Sequence, residues 1–506
     1  MKSTALMLMV VTVLSKVLGF IREMVIASFY GTSATKEAFV IAQTIPFFIF
    51  GFITTGITTE FIPFYNNIEK KHGEKRADLF TANIGNITLF LTLILTVLGI
   101  IFAKSLVKVF AFGFTGEKLQ MAVLFTRICL LSISASAVAS IYRGYLNIKG
   151  NFIVHATQGF IMNIIIIISI ILSKNINVLI LPIGLCIGVV FQHIFYIPAL
   201  KKVGYVHKWF MNFKDENIKN MLILALPVIL GVAVNQVNVL IDKSLSSAVS
   251  ENGVAILDYA NRLNDFVVGI VVVSVGTAVY PILSKSVAEG DIKNLKNNIM
   301  ESISHISFLI IPAMLGLMIF AKPIVIMLFE RREFTRKDSI DVAAGLFYYA
   351  SGIIWIAIRD ILSKGFYAMQ DTGTPVKNSI IMVVINIVSS IILSRFMGLS
   401  GLALGTSFSA MIGAFLIMGK LKNKIGPFVS LKSLKNTFKI IISSIYMGIV
   451  SGYAYNTFSK SMSISKSLLV SIFIAMIVYF ISINILKVEE IVYYKKALKK
   501  KLNKKN

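Results

Sequence analysis

The chain has 506 residues, of which 56% are hydrophobic, and its mean hydropathy of +0.80 excludes an ordinary soluble domain. It carries 50 Lys and Arg against 24 Asp and Glu, a formal net charge of +26. In so apolar a chain this basic excess indicates membrane topology and contact with anionic membrane lipids, so we expect no nucleic acid partner.

Long apolar runs predict the spans, because a helix needs about 20 mostly apolar residues to cross the bilayer core. Two such segments are interrupted by charge, 3–29 and 119–142. Twelve others are 38–59, 79–103, 150–173, 175–200, 220–241, 266–284, 302–321, 339–358, 378–394, 396–419, 440–459 and 467–486, and of these only 339–358 contains an Asp, Glu, Lys or Arg, namely Asp341. Runs of this length suit helices rather than barrel strands. The sequence therefore predicts an all-α polytopic membrane protein with 14 transmembrane helices.

The distribution of Lys and Arg sets the predicted orientation. With the N-terminus inside, the inside segments hold 31 of these residues, the outside segments hold 14, and five lie within spans. Because cytoplasmic loops carry the excess of Lys and Arg, both termini are expected in the cytoplasm.

Two pairs of motifs recur at nearly the same distance along the chain. The glycines of GITTEFIP (56–63) and GTAVYP (276–281) are 220 residues apart, and Arg143-Gly144-Tyr145 and Lys364-Gly365-Phe366 are 221 apart. A unit of six spans enters the membrane from the same side in both copies, which predicts two pseudo-symmetric six-helix lobes related by an axis along the membrane normal.

This repeat divides the chain into an N-terminal lobe, a linker, a C-terminal lobe, two extra spans and a tail. The linker is basic and aromatic and is expected to be interfacial, as is a short helix and turn in 321–338. The predicted boundaries are 1–200 for spans 1 to 6, 201–217 for the linker, 218–421 for spans 7 to 12, 422–487 for spans 13 and 14, and 488–506 for the basic cytoplasmic tail.

Motifs of common catalytic sites are missing from the sequence. It contains no GxxxxGK[ST] phosphate loop, no HExxH and no CxxC. We therefore expect a transporter rather than an enzyme, with no cofactor, driven by an ion gradient, by the membrane potential or by consumption of its cargo.

The first span carries two cations that an apolar helix does not need. Lys16 and Arg22 lie about 120° apart around a helix, and Gly19 falls midway between them. An anionic group could approach this side-chain-free notch, since charges inside spans usually face a cavity or a partner. The alternative is that Lys16 snorkels or pairs with Glu23 through intermediate groups.

A third cation, Arg262, lies in the eighth span between Asp258 and Asp265. Either these acids neutralise it locally, or Arg262 joins Lys16 and Arg22 around one anionic ligand. A diphosphate suits such a set of cations.

Five stretches resemble the MurJ/MviN family of lipid II flippases, which belongs to the multidrug/oligosaccharidyl-lipid/polysaccharide exporter superfamily. They are SKVLGFIREMVIASFYG (15–31), YANRLNDF (259–266), GTAVYPILSKSVAEGD (276–291), FERREFTRKD (329–338) and FYAMQDTGTPVK (366–377). The resemblance implies a V-shaped transporter of two lobes with a cationic central cavity, and a groove for the lipid tail at spans 13 and 14.

The resemblance also implies roles for single residues. Lys16, Arg22 and Arg262 match family arginines, and Glu37 matches an acidic residue after the first outer loop. Asn261 stands where the family has an acid. A further cavity arginine of the second span is missing, since Phe50 and Gly51 stand there.

The function implied is translocation of the undecaprenyl-diphosphate-linked peptidoglycan precursor, lipid II, from the cytoplasmic to the outer leaflet by alternating access. The expected setting is a monomer in the bacterial plasma membrane. The thinner cationic set leaves open a flippase for another polyprenyl-diphosphate-linked saccharide, of capsule or teichoic type. Less favoured are a cation-coupled drug exporter, which should prefer an acidic, aromatic cavity, and a scaffold that transports nothing.

A candidate Na⁺ site lies in the second half of the chain. It comprises Asp242, which ends the seventh span, Asn386 and Ser390, which share a face of the eleventh, and Thr406 of the twelfth. Some relatives carry sodium on similar spans, with an acid where Ser390 stands. The alternative is ordinary hydrogen bonding between helices.

Overall fold

The computed structural model describes residues 2–491, and within this range the chain forms helices and no β-strand. Helices satisfy every backbone polar group within the segment, as an apolar environment requires. The first nine are α1 (Lys2–Tyr30), α2 (Ala34–His72), α3 (Glu74–Ile101), α4 (Ala103–Phe110), α5 (Gly116–Leu130), α6 (Ser132–Ile148), α7 (Ile153–Asn175), α8 (Ile180–Lys202) and α9 (Glu216–Val249). The second nine are α10 (Gly253–Ala288), α11 (Ile292–Ile319), α12 (Ala321–Phe329), α13 (Arg336–Ala350), α14 (Ile353–Ala368), α15 (Gly373–Met397), α16 (Leu399–Ile425), α17 (Leu431–Phe458) and α18 (Ile464–Ile485).

Twelve helical segments of the described chain are long and apolar enough to cross a membrane. They are α2, α3, α5 with α6, most of α7, α8, α10, α11, α13 with α14, and α15 to α18. Helices α1 and α9 lie where the sequence predicts the first and seventh spans. The prediction of an all-helical membrane protein is therefore confirmed.

The order of helices repeats along the chain. The starts of α3, α4, α5, α6, α7 and α8, at residues 74, 103, 116, 132, 153 and 180, recur at 292, 321, 336, 353, 373 and 399 in α11 to α16. Each recurrence is 218 to 221 residues later. This constant spacing extends the motif spacing of the sequence from single residues to the whole series of helices.

The repeat includes two irregular features. The short helices α4 and α12 follow the third and the ninth predicted spans. The fourth and the tenth predicted spans are each interrupted, the fourth at Leu131 and the tenth at the turn Ser351-Gly352. The short helix in 321–338 was predicted, and α12 confirms it. Its earlier equivalent α4 was not predicted, although the 220-residue spacing could have located it.

Packing divides the chain into two compact units. Unit 1 contains the residues up to Ala255 together with Arg331–Thr335, and unit 2 contains Ile256–Glu330 and the residues from Arg336 onwards. Within unit 1, the loop Arg331–Thr335 lies on the end of α1, where the Glu333 amide donates to the Ser28 carbonyl over 3.3 Å. Lys174 forms an ion pair with Glu333 at 2.9 Å.

The grouping of α9 differs from the predicted boundary at residue 217. The sequence assigns this helix to the second lobe, whereas in the structure it packs in unit 1. The reason is its close approach to α2, where a Cβ on Gly56 would meet Ile229 at 2.7 Å and Ala225 at 3.4 Å. The symmetry of the two lobes stays a prediction.

The family-like motif MQDTG has a local structural role. Asp371 caps the start of α15, accepting the Thr374 amide over 3.0 Å, and it pairs with Lys424 at 2.5 Å. The Lys424 ammonium holds the pKa of Asp371 below its ordinary value. Because these contacts lie at the ends of α15 and α16, the motif fixes a turn between two spans.

Candidate functional site: a buried charge cluster on the first helix and an apolar cavity

Arg22 is the best-defined cation of α1. Its guanidinium donates to the Asn163 side-chain oxygen of α7 over 3.1 Å and pairs with Glu23 at 2.7 Å. Asn163 is itself buried and donates to the Gly159 carbonyl at 2.8 Å. The side chain of Arg22 keeps 16% of its surface exposed, so it is held in place and still has surface for a ligand.

Glu23 joins Arg22 to a second buried cation. Its other carboxylate oxygen lies 3.3 Å from the ammonium of Lys36 on α2, whose side chain is 1% exposed. Sequence reasoning missed Lys36, because nothing in the pattern of α1 shows which helix packs on it. A carboxylate shared by two cations leaves the cluster with net positive charge, which favours an anion.

At Gly19, where the sequence predicts a notch open to an anion, the Asn163 side chain packs against the helix, and anion binding there stays a prediction. A Cβ on Gly19 would lie 3.6 Å from the Asn163 amide nitrogen, so the notch faces the same side chain that receives Arg22. Lys16 lies one turn earlier and is exposed. Asn163 was also missed, although a lone asparagine in the run IMNIIIIISI was a signal for it.

In unit 2, Arg262 lies on α10 beside an acid of its own helix. Its guanidinium is 3.7 Å from the buried Asp258 carboxylate, and its side chain is 38% exposed. Asn261 donates to Asp265 over 3.0 Å. The local neutralisation considered for Arg262 is therefore present in this structure, since an i,i+4 pair forms on the helix.

Glu37 has a structural position within unit 1. Its side chain is fully buried, pairs with Lys118 of α5 and accepts the Ala255 amide of the first turn of α10 over 3.1 Å. A carboxylate is favourable there because the first amides of a helix lack intrahelical partners. This geometry explains an acid at position 37 without a ligand.

The position of the missing second-span arginine lies against α9. A Cβ added to Gly51 would meet the Gln236 side-chain nitrogen at 2.8 Å, so a larger side chain requires movement of Gln236. Where the family has a cavity arginine in the second span, this chain therefore has a glycine that allows α2 and α9 to pack closely in unit 1.

An apolar cavity of about 530 Å³ lies within unit 2. Its walls come mainly from α11 and α18, with single residues from α10, α12 and α17. The hydroxyl of Tyr479 donates to the Phe308 carbonyl over 2.7 Å, so this polar group of the wall is satisfied. The lining includes Phe308, Pro312, Gly316, Met447, Ala475, Tyr479 and Phe480. Such a cavity suits a hydrocarbon chain.

Part of the predicted cation site is assembled in unit 2. Asn386 of α15 donates to the Thr406 hydroxyl of α16 over 3.1 Å. The side-chain oxygen of Asn386 and the hydroxyl of Ser390 are buried and have no hydrogen-bond partner within the described chain. Neutral oxygens without partners suit a hard cation. Asp242 lies on α9 in unit 1.

Comparison with known proteins gives a consistent result. The family model described as lipid II flippase MurJ matches residues 26–474. The chain is 30% identical over 420 residues to the probable lipid II flippase MurJ of Vibrio cholerae, covering 80% of each chain. It is 27% identical over 424 residues to the lipid II flippase MurJ of Burkholderia cenocepacia, covering 82% of each.

Solved structures agree with this assignment. A lipid II flippase MurJ in an inward closed conformation matches with a TM-score of 0.84 at 27% identity, over 96% of this chain and all of that one. An inward-facing multidrug resistance transporter matches with a TM-score of 0.69 at 17% identity, over 81% of this chain and 94% of that one, which shows likeness of fold alone. With a family model that spans most of the sequence, the chain belongs to the lipid II flippase MurJ family.

Proposed function

We propose that this chain is a lipid II flippase, a transporter that moves lipid II across the bacterial cell membrane from the cytoplasmic to the outer leaflet by alternating access. The observation that carries the proposal is the charge cluster on α1, in which Arg22 is held by Asn163 and Glu23 and retains exposed surface. A held cation inside a membrane-spanning chain is suited to an anionic headgroup.

The diphosphate of the cargo interacts with Arg22, Lys16 and Arg262 during the transport cycle. Arg22 supplies two or more donors in a planar fork, which matches phosphate oxygens. Arg262 exchanges its Asp258 partner for the diphosphate, since their separation of 3.7 Å is a weak pairing at a partly exposed side chain. Fourteen spans, with α1 and α9 included, two pseudo-symmetric lobes and cytoplasmic termini complete the proposed architecture of a monomer.

The test uses purified protein in vesicles that contain fluorescent lipid II. A membrane-impermeant reductant bleaches the label in the outer leaflet, so translocation is measured as bleaching beyond the outer-leaflet fraction. Faster bleaching of lipid II than of a polyprenyl diphosphate with another saccharide supports the proposal. Equal rates support the broader saccharide flippase. Transport of a cationic drug with no movement of either lipid contradicts both.

The polyprenyl tail of the cargo binds the apolar cavity of unit 2. Gly316 of α11 lines this cavity, and no atom lies within 4 Å of a Cβ built there, so a side chain at this position begins in open space at the cavity wall. Gly316→Phe is expected to lower lipid II translocation about tenfold or more, because the ring occupies volume that several methylene groups would fill.

Gly419→Phe on α16 is the matched control. Gly419 is exposed, also has nothing within 4 Å of a built Cβ, and lies outside the cavity lining. Both variants add the same aromatic ring to a helix of unit 2. If Gly316→Phe transports lipid II as fast as the wild-type protein, the cavity is not the binding site of the tail. If Gly316→Phe and Gly419→Phe are equally defective, the loss of transport comes from adding a ring to a helix and not from filling the cavity.

Transport is coupled to sodium or to the membrane potential. The buried side-chain oxygens of Asn386 and Ser390 support a Na⁺ site within unit 2, beside the Thr406 hydroxyl that Asn386 contacts. A potential of 100 mV is worth about 2.3 kcal/mol per charge, enough to bias a two-state transporter. Asn386→Ala is expected to reduce the stimulation of lipid II translocation by an inward sodium gradient. Full stimulation in this variant would favour the potential alone.

A further inference from the structure

The segment between α8 and α9, residues 203–215, is fastened to α3 by its backbone; we name it the α8–α9 strap. Asn86 of α3 donates to the carbonyls of Lys208 and Phe210 over 2.8 and 2.9 Å. One turn earlier on the same helix, Asn83 exchanges two hydrogen bonds with the backbone of Asn212, at 3.1 and 2.7 Å. Both asparagines are buried, so these bonds form away from water and fix the path of the strap.

The inner side of the strap is occupied by other side chains. Tyr205 is buried, with its ring 4.8 Å from that of Tyr145 and 6.0 Å from that of Tyr142. His207 lies 3.0 Å from the Asn86 side-chain oxygen, and its burial lowers the pKa of its imidazole. With the backbone fixed and these two side chains pointing inward, Val206, Trp209, Met211 and Phe213 stay on the outer side of the strap.

Those remaining side chains are unusually exposed for their type. Trp209 is 79% exposed and Val206 is 71% exposed, and Met211 and Phe213 are also exposed. An exposed apolar patch held in one position marks an interaction surface. Lys208 and Lys214 lie in the strap, and lysines 201, 202 and 219 lie in the adjoining ends of α8 and α9. Asp215 is buried, caps α9 and pairs with Arg76 at 3.4 Å.

The patch is continuous with the apolar surface of a spanning helix. The ring of Phe213 makes an edge contact with Phe90 of α3, with centroids 6.0 Å apart. From Phe90 the exposed surface of α3 runs through Leu91, Leu93, Ile94, Val97 and Leu98, which are all apolar. A soluble protein or a nucleic acid has no access to such a surface when α3 spans a bilayer, whereas lipid contacts the helix and the strap together.

We propose that the α8–α9 strap docks on the bilayer surface, with Trp209 at the level of the headgroups, Phe213 on the apolar surface beside Phe90, and the lysines in contact with anionic phospholipid. The indole of Trp209, which is apolar but carries one N–H donor, favours this depth, and lysines beside it attract anionic headgroups. The strap thereby holds the N-terminal end of α9 at the membrane surface. This binding surface goes beyond the proposed transport of lipid II and does not depend on it.

Trp209 is one of only two tryptophans in the sequence, so its position can be measured directly. Trp355→Phe leaves it as the single tryptophan, and a variant that also carries Trp209→Phe gives the background. The protein is reconstituted in phosphatidylcholine vesicles with and without phosphatidylglycerol, and with lipids brominated near either end of the acyl chain. We expect blue-shifted emission, quenched several-fold more by bromines near the headgroup than by bromines near the chain end.

The lysines are tested in the same single-tryptophan protein. Lys208→Gln with Lys214→Gln is expected to raise severalfold the fraction of phosphatidylglycerol needed for half of the emission shift. Lys460→Gln with Lys466→Gln is the matched control, which removes one exposed lysine from the α17–α18 loop and one from the first turn of α18, and should leave the midpoint unchanged. If both double variants change the phosphatidylglycerol fraction at the midpoint by the same amount, the strap lysines have no specific role in lipid binding.

Emission at the wavelength of tryptophan in water, with strong quenching by aqueous iodide and none by brominated lipid, would overturn the proposal. The strap would then face water and remain available to a soluble protein. The readout requires no transport, so failure of the strap proposal and failure of lipid II translocation are distinguished in the same preparation.

Discussion

Arg22→Ala is expected to abolish lipid II translocation while folded protein remains in the membrane. The change removes the guanidinium that Asn163 and Glu23 hold, and with it the best-positioned cation on α1. The fold should survive because Glu23 retains Lys36 at 3.3 Å and Asn163 retains its bond to the Gly159 carbonyl. The measurement is the bleaching assay in vesicles, with thermal unfolding in detergent as the test of folding.

Arg127→Ala is the matched control, since Arg127 also lies in a spanning segment but is exposed and belongs to α5. It should transport at nearly the wild-type rate. Arg22→Lys keeps the charge but loses the fork geometry, so we expect partial activity. If Arg22→Ala translocates lipid II at the wild-type rate, this arginine is not required for diphosphate binding.

Glu37→Ala is expected to destabilise the protein strongly. The change leaves the buried Ala255 amide without its acceptor and takes the carboxylate away from Lys118, and breaking a buried charge pair from one side costs about 3 kcal/mol. The effect should appear as a lower unfolding temperature in detergent and a smaller yield of folded protein. Loss of transport should follow loss of folded protein in proportion.

Two variants separate this structural role from a role in cargo binding. Glu37→Gln keeps an oxygen for the Ala255 amide and should retain more stability than Glu37→Ala. Glu117→Ala removes the exposed acid next to Lys118 and should unfold like the wild-type protein. If Glu37→Ala is as stable as wild type but transports no lipid II, position 37 acts on the cargo instead.

The parts of the fold that were predictable from the sequence follow from short-range physics. Long apolar runs identify helices because the bilayer requires them, and the short helix in 321–338 was readable from a run too short to cross. Arg262 and Asp258 lie one turn apart, so their pairing was visible in the sequence. The 220-residue spacing of glycines predicted the repeat of helices.

The remaining parts depend on which helices pack together. The contacts of Glu23 with Lys36 and of Glu37 with Lys118 join different helices, and nothing in the residue order of either helix identifies the partner. The same holds for the packing of α9 in unit 1, which the linker composition did not predict. Arg22 was identified from its charge and from the family resemblance, whereas its support by Asn163 needed the structure.

The interruptions of the fourth and tenth predicted spans, at Leu131 and at Ser351-Gly352, have a bearing on ancestry. Duplication of a half-length gene would give both copies the same break and the same short helix, which are α4 in the first half and α12 in the second. The charges do not follow this repeat. Arg22 and Glu23 on α1 stand 220 residues before Asp242 and Lys243 on α9, with opposite signs in the same order. The two halves therefore share the order of their helices, whereas the corresponding helices α1 and α9 carry opposite charge patterns at matched positions.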